Sequence, residues 1–215
     1  MKFISSTLLA ASAKASLDYS GTINDNEAEG AKGIFQMKYD NEQSVSATYS
    51  LKVDLSGFTG YNTETCALKN GLVFHVHSFW NNNAISASNA GCGPDLTGGH
   101  YDPFLTCSKS SEDAKGKCAD LKRTEDDEYK YPCNADAYAA GNFALCEVGD
   151  LSTKFSGVFM PDENMVWEAN GLYDPIAPFR SNYNLEDEIA NQWSSVVFHC
   201  KDDASRLFCA EIVAN

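Results

Sequence analysis

Between positions 45 and 55 the chain alternates without a break. Val45, Ala47, Tyr49, Leu51, Val53 and Leu55 are hydrophobic, and Ser46, Thr48, Ser50, Lys52 and Asp54 between them are polar. Successive side chains leave a strand on opposite sides, so this period of two predicts a half-buried β-strand. Phe35, Met37 and Tyr39 alternate with Gln36, Lys38 and Asp40 in the same way, and Asp40-Asn41 marks a turn, so a hairpin is expected there. Residues 72–79, 195–200 and 207–213 are further strand-like runs, and no segment carries sustained helical periodicity with caps. The expected fold class is all-β and antiparallel, a sandwich or flattened barrel.

One stretch breaks the pattern. Residues 104–146 hold four cysteines, mixed charge and no strand alternation over 108–130, which predicts a long loop with a helical turn near Ala119 to Arg123. The chain has 215 residues, enough for one well-buried core, so one main domain is expected over 16–215. The first fifteen residues run from Met1 and Lys2 into a short apolar stretch with Ile4, Leu8 and Leu9. With Ala13 and Ala15 before Ser16 they read as a secretory signal, too short to span a bilayer. The mature protein is expected to be soluble and secreted.

Eight cysteines behind an export signal favour disulfides over reduced thiols, and no C-x-x-C pair suggests a cysteine-ligated metal. Eight cysteines allow 105 pairings, so counting does not assign them. A net charge of -14 argues against nucleic acid and offers no basic patch for an anionic membrane.

The candidate chemistry lies in the histidines. There are four: His75 and His77 in Phe-His-Val-His-Ser, His100 in Gly-Gly-His-Tyr-Asp-Pro, and His199 in Val-Val-Phe-His-Cys. On a strand, residues two apart project side by side with Cα atoms about 6.5 to 7 Å apart, close enough to share one ion. A lone strand histidine is more often a hydrogen-bonded structural residue. The His-x-His pair, with two further histidines beside turn glycines or at a strand end, points to a metal. Neutral imidazoles without thiolate suit copper or zinc rather than calcium or magnesium. His75 and His77 share a face with Val73 and Phe79, while Leu72, Phe74, Val76 and Ser78 share the other, and either face could be the core.

The fragments His-Val-His-Ser-Phe (75–79), Ala-Gly-Cys-Gly-Pro (90–94), Gly-Gly-His-Tyr-Asp-Pro (98–103), Val-Gly-Asp-Leu (148–151), Val-Val-Phe-His (196–199) and Arg-Leu-Phe-Cys-Ala (206–210), in that order, resemble the copper-zinc superoxide dismutase family. The resemblance implies a Greek-key β-sandwich or barrel. It implies copper on His75, His77, His100 and His199, with His100 in the position that bridges copper and zinc in the family. The family's zinc set is incomplete here: no fifth histidine exists, Asp150 alone remains of the other zinc ligands, and Glu147 stands where the last zinc histidine would be. With only a short segment between His199 and Arg206, the chain is similar to the copper-only secreted branch of fungi and oomycetes, and zinc is not expected.

The resemblance also implies an activity: conversion of superoxide to dioxygen and hydrogen peroxide by Cu(II)/Cu(I) cycling. His100 would carry the proton, Glu147 would hold its ring with Asp150 behind, and Arg206 would offset the negative surface at the copper mouth. The plainer readings are a solvated loop acid for Glu147, a turn residue with a local backbone bond for Asp150, and a surface arginine paired with Asp202 or Asp203 for Arg206. The family disulfide corresponds to Cys92 and Cys209. Cys66 and Cys200 could pair at the bases of two ligand strands, leaving Cys107, Cys118, Cys133 and Cys146 to staple the long loop. A monomer is expected rather than a dimer. The competing functions are a non-catalytic copper-binding or storage module on the same fold and a zinc hydrolase or hydratase. The latter is disfavoured because four histidines would fill a site that catalysis needs open.

Overall fold

The computed structural model describes residues 17–23, 28–40, 47–61, 63–81, 92–124, 128–155, 160–173 and 195–215. The expected signal segment and the Asn41 side of the hairpin turn lie outside them. Two antiparallel sheets make the framework. One has five strands in the order β5-β3-β2-β1-β8, and the other has three in the order β4-β6-β7. The strands are β1 (Leu17–Ile23), β2 (Lys32–Tyr39), β3 (Ala47–Asp54), β4 (Leu72–His77), β5 (Val166–Tyr173), β6 (Ser195–Cys200), β7 (Arg206–Glu211) and β8 (Val213–Ala214). Neither sheet closes on itself, so the architecture is a sandwich, and the expectation of a barrel is corrected. Alternation along a strand fixes which face is buried but not whether the edges meet, which is why the two could not be told apart.

The alternating residues do what their period dictates. Phe35, Met37 and Tyr39 of β2 and Ala47, Tyr49, Leu51 and Val53 of β3 point into the core. The second sheet faces them with Leu72, Phe74 and Val76 of β4, with Val196, Phe198 and Cys200 of β6, and with Phe208 of β7. Phe35 meets Phe74 edge-on across the two sheets with centroids 6.1 Å apart, and within the second sheet Phe198 stacks on Phe74 at 5.7 Å and on Phe208 at 4.6 Å. The even-numbered face of β4 is therefore the core, and His75 and His77 stand on the other.

The strand expected over 207–213 is interrupted. β7 ends at Glu211, and β8 begins two residues later in the other sheet, paired with β1. β1 and β5 were not anticipated from the sequence. The long loop contains only single turns of helix, among them α2 (Lys117–Asp120), α3 (Ala135–Ala139) and, just beyond it, α4 (Leu151–Lys154); α1 (Pro94–Thr97) precedes His100. Disulfides join Cys66 to Cys200, Cys92 to Cys209, Cys107 to Cys118 and Cys133 to Cys146. No helix among the described residues is long and apolar enough to cross a membrane.

Candidate metal centre

Three of the four histidines stand on paired strands. His75 and His77 lie on the outward face of β4, and antiparallel pairing sets Val73 opposite His199 on β6, so the His199 ring is diagonal to that of His75. His100 follows α1 and bridges to His77 and to Ser111 of the loop. Its segment is laced to the framework at one point: Tyr101 donates its N–H to Val76 O, Val76 to Gly149 O, and Gly149 to Tyr101 O. A Cβ on Gly149 would lie 2.2 Å from Val76 O, so only glycine permits this approach. The same lacing brings the turn that carries Glu147 and Asp150 beside the histidines.

The rings form one cluster. Centroids are 4.1 Å apart for His75 and His100, 5.0 Å for His75 and His199, 5.2 Å for His77 and His100, and 5.6 Å for His77 and His199. One nitrogen from each ring lies within 4.8 Å of the others. The second nitrogens of His77, His100 and His199 are hydrogen-bonded, and the carbonyl partners fix two of the tautomers. His77 Nδ1 lies 3.0 Å from Gly98 O and His199 Nδ1 lies 3.1 Å from Ala204 O. A carbonyl only accepts, so each Nδ1 carries the proton and each Nε2 keeps its lone pair. His100 Nδ1 lies 2.9 Å from Glu147 Oε2, and His75 Nε2 lies 3.5 Å from Asp150 Oδ1.

What is left over is diagnostic. His75 Nδ1, His77 Nε2 and His199 Nε2 are buried without a hydrogen-bond partner. An orphaned buried polar atom is rare, and three aimed at one point with a fourth imidazole fit a cation. Burial pushes His75 down to about 3 and His100 to about 4, and holds His77 and His199 well below the usual imidazole range. The rings are thus neutral at physiological pH, the form in which imidazole ligates. Four nitrogens around one ion at ~2.0 Å would be up to ~4 Å apart, so small ring movements suffice. The other cluster of ligand-type residues described, Asp102 with Cys107 and Cys118, is closed to metal because its two sulfurs are bonded together.

The carboxylate side is equally built. Glu147 is fully buried, and its Oε1 accepts the Ser108 N–H at 2.6 Å while Oε2 faces His100. Burial pushes its carboxyl up to about 7. Asp150 caps α4 by accepting the Thr153 N–H at 3.1 Å, so the local turn bond coexists with its place beside His75. Burial raises the Asp150 carboxyl, but His75, His100 and the Thr153 N–H outweigh it and leave it below the usual range. Tyr131 donates its hydroxyl to Asp150 Oδ2 at 3.0 Å and accepts the Glu147 N–H at 2.9 Å.

Arg206 reaches across the opposite flank. It donates from Nη1 to Cys92 O and Thr97 Oγ1, both at 2.7 Å, and from Nη2 to Gly98 O at 2.8 Å. All three acceptors are neutral; Arg206 lines a cavity of ≈ 490 Å³ with all four histidines, and Glu112 in the same lining is its acidic neighbour. Asp202 is engaged elsewhere, accepting from Ala67 N–H and the Asn70 amide, and Asp203 accepts the Ser205 N–H. The surface pairing considered for Arg206 is not the one formed.

Sequence reasoning missed Ser108, Asp102, Tyr131 and Lys154. Asp102 accepts from Thr106 N–H, Cys107 N–H and the Ser111 hydroxyl, and so shapes the start of the loop. Lys154 is buried with its ammonium donating to Val148 O at 2.7 Å, and burial pushes it down to about 7. Its main charged neighbours are Asp150, Glu147 and Asp102. The Gly-Asp-Leu-Ser-Thr-Lys run, a capped turn ending in a cation, was the only sign of it.

No protein-family model and no curated protein sequence matches the chain. Among solved structures, a point variant of Candida albicans superoxide dismutase 5 is similar with a TM-score of 0.52 and 15% identity, over 93% of this chain and 90% of that one. The copper(II) form of the same protein is similar with a TM-score of 0.52 and 14% identity, over 92% of each chain. The likeness establishes the fold: two antiparallel sheets packed as in a superoxide dismutase sandwich.

Proposed function

We propose that the protein is a secreted, copper-only superoxide dismutase. The observation that carries the reading is the convergence of three buried, unpartnered imidazole nitrogens with His100, while the second nitrogens of His77, His100 and His199 are already held. His75, His77, His100 and His199 would hold the ion. Nitrogen-only donors favour copper among the metals that imidazole binds, and the chain has no histidine left to build a zinc site. The Candida albicans protein is described as a superoxide dismutase in a copper(II) form, and the shared fold supports carrying that chemistry here.

Bound copper would supply the one-electron couple that oxidises one superoxide to dioxygen and reduces the next. The chain's own groups supply the rest. Peroxide formation consumes two protons, and His100 would deliver one from Nε2 only when that nitrogen is released from the ion and has taken a proton from solvent. Its Nδ1–H stays on Glu147, whose other oxygen is pinned by Ser108, so the ring keeps its orientation through the transfer. Arg206 offers the substrate anion a positive charge beside the histidines. Within a Debye length of ~8 Å it can outweigh the field of a chain of net charge -14. Superoxide dismutases are a standard example of such steering. Asp150 orients His75 as Glu147 orients His100.

The test is metal analysis of protein purified without added metal, followed by superoxide decay in stopped flow. Copper without zinc, rapid decay, and joint loss of copper and decay in His199→Ala are the expected results. Full activity in that variant overturns the reading.

A further inference from the structure

The long stapled loop holds the main chain of His100 through Ser110 O and the Glu112 N–H, and it meets the two acids of the metal centre through two further groups. One is the Ser108 N–H, next to Cys107, which holds Glu147 Oε1; the other is the Tyr131 hydroxyl, two residues before Cys133. Tyr131 is joined to both acids at once, donating to Asp150 Oδ2 and accepting from the Glu147 main chain. The Cys133–Cys146 bridge ties the two ends of this contact together, because Cys146 directly precedes Glu147. Burial, with Asp150 and Glu147 adding to it, keeps the phenol protonated far above its ordinary range, so it is a permanent donor.

We propose that Tyr131 is a positioning residue of the metal centre: its hydroxyl sets the spacing of Glu147 and Asp150 and, through them, the orientation of the His100 and His75 rings. The inference rests on the reading of those histidines as ligands. A hydroxyl does this work where a larger group would not, since it can give one hydrogen bond and take one within a single atom. Without it, two buried groups three residues apart lose a partner together, and the turn that presents both acids loses a group bonded to both of them, keeping Gly149, the α4 cap, the Ser108 N–H on Glu147 and Lys154 on Val148 O. The loop is then a buttress, and its two staples sit where its two contacts need to be stiff.

Tyr129 provides the control. It lies in the same loop and donates its hydroxyl to Thr106 O at 2.7 Å and to neither acid. Tyr131→Phe and Tyr129→Phe each remove one oxygen and keep the ring. Three readouts separate them: exchange of the His100 Nδ1 proton in the metal-free protein by NMR, Cu(II) affinity by chelator competition, and the Cu(II) electron paramagnetic resonance spectrum. In Tyr131→Phe the proton should exchange about tenfold faster or more, affinity should fall about tenfold, and the spectrum should shift; in Tyr129→Phe none should move. Wild-type values in Tyr131→Phe, or equal shifts in both variants, overturn the proposal, the second because it would mean general loosening. Wild-type protein that binds copper but leaves superoxide decay unchanged overturns the dismutase reading alone, since none of the three readouts uses turnover.

Discussion

Phe198 and His199 are neighbours on one strand and belong to different molecules in a physical sense. Phe198 faces inward, fully buried between Phe74 and Phe208, and answers to packing. His199 faces outward, its Nδ1 on Ala204 O and its Nε2 without a partner, and answers to a ligand. The same holds for Phe74 and His75 on β4. Two strands thus carry stability on one side and chemistry on the other, one residue apart, and the two should come apart under mutation. Phe198→Ala should destabilise the metal-free protein by about 3 to 5 kcal/mol in denaturant unfolding, as large core truncations do. His199→Ala should change that stability by no more than about 1 kcal/mol, because the one bond it loses is to an exposed residue, yet abolish copper retention on dialysis. Equal destabilisation by both would break the division.

The outward face should also show itself in pH. In the metal-free protein the four imidazoles titrate below their ordinary value of 6.5, His75 at about 3 and His100 at about 4. Unfolded chains therefore take up more protons than folded ones as pH falls from 6.5, and stability present above that value is lost on the way down. Glu147, raised to about 7, and Asp102, raised to about 6, act in the opposite sense, since the folded state binds their protons first. Four groups outweigh two, so stability should fall on the order of a few kcal/mol between pH 6.5 and 4.5. Copper should flatten the dependence by occupying the nitrogens. A metal-free stability that is level across this window would show that the imidazoles are less buried than their geometry implies.

Legibility in the sequence follows the same division. Alternation over 45–55 and the His-x-His spacing are local, and they lead directly to β3 and to two members of the histidine cluster. The choice between the two faces of β4 was not legible, because Val73 and Phe79 flank the histidines as Leu72 and Phe74 flank Val76, and only packing against Phe35 decides. Glu147 was found by resemblance, through its place three residues before Asp150. Ser108 had no such route: it acts through a backbone N–H, which every residue but proline has. Tyr131 depends on a pairing of cysteines that counting did not assign, Cys133–Cys146, and Lys154 on the Val76–Gly149 contact, which joins segments far apart in the chain. The resembling fragments are short and scattered, in keeping with a fold shared at 15% identity without a matching family model.

A smaller effect tests the carboxylate side. Glu147→Gln keeps the shape but leaves one oxygen for two donors, the Ser108 N–H on one side and His100 Nδ1–H on the other. Whichever way the amide turns, its NH₂ faces an N–H, and one buried donor is stranded. Copper affinity should fall about 10- to 100-fold, the usual consequence of losing a ligand's hydrogen-bond partner, as chelator competition would measure. An unchanged affinity would mean that Ser110 and Gly149, through the backbone, already fix His100 without it.

The smallest effect is expected where the sequence offered Arg206 a surface partner. Asp202 accepts the Ala67 N–H at 3.0 Å and the Asn70 amide at 3.1 to 3.2 Å on the exposed side of Cys66. Asp202→Asn keeps an acceptor for Ala67 and should shift stability by less than about 1 kcal/mol. Because Arg206 spends its donors on Cys92, Thr97 and Gly98, copper affinity and superoxide decay should not move at all. Arg206→Lys is the counterpart: one ammonium cannot reproduce a planar fork spread over three acceptors, so the segment before His100 should loosen and decay should slow, although the charge is kept. If instead Asp202→Asn slows decay and Arg206→Lys does not, the positive charge at the histidines is set from the surface, and the guanidinium is only a strut between β7 and α1.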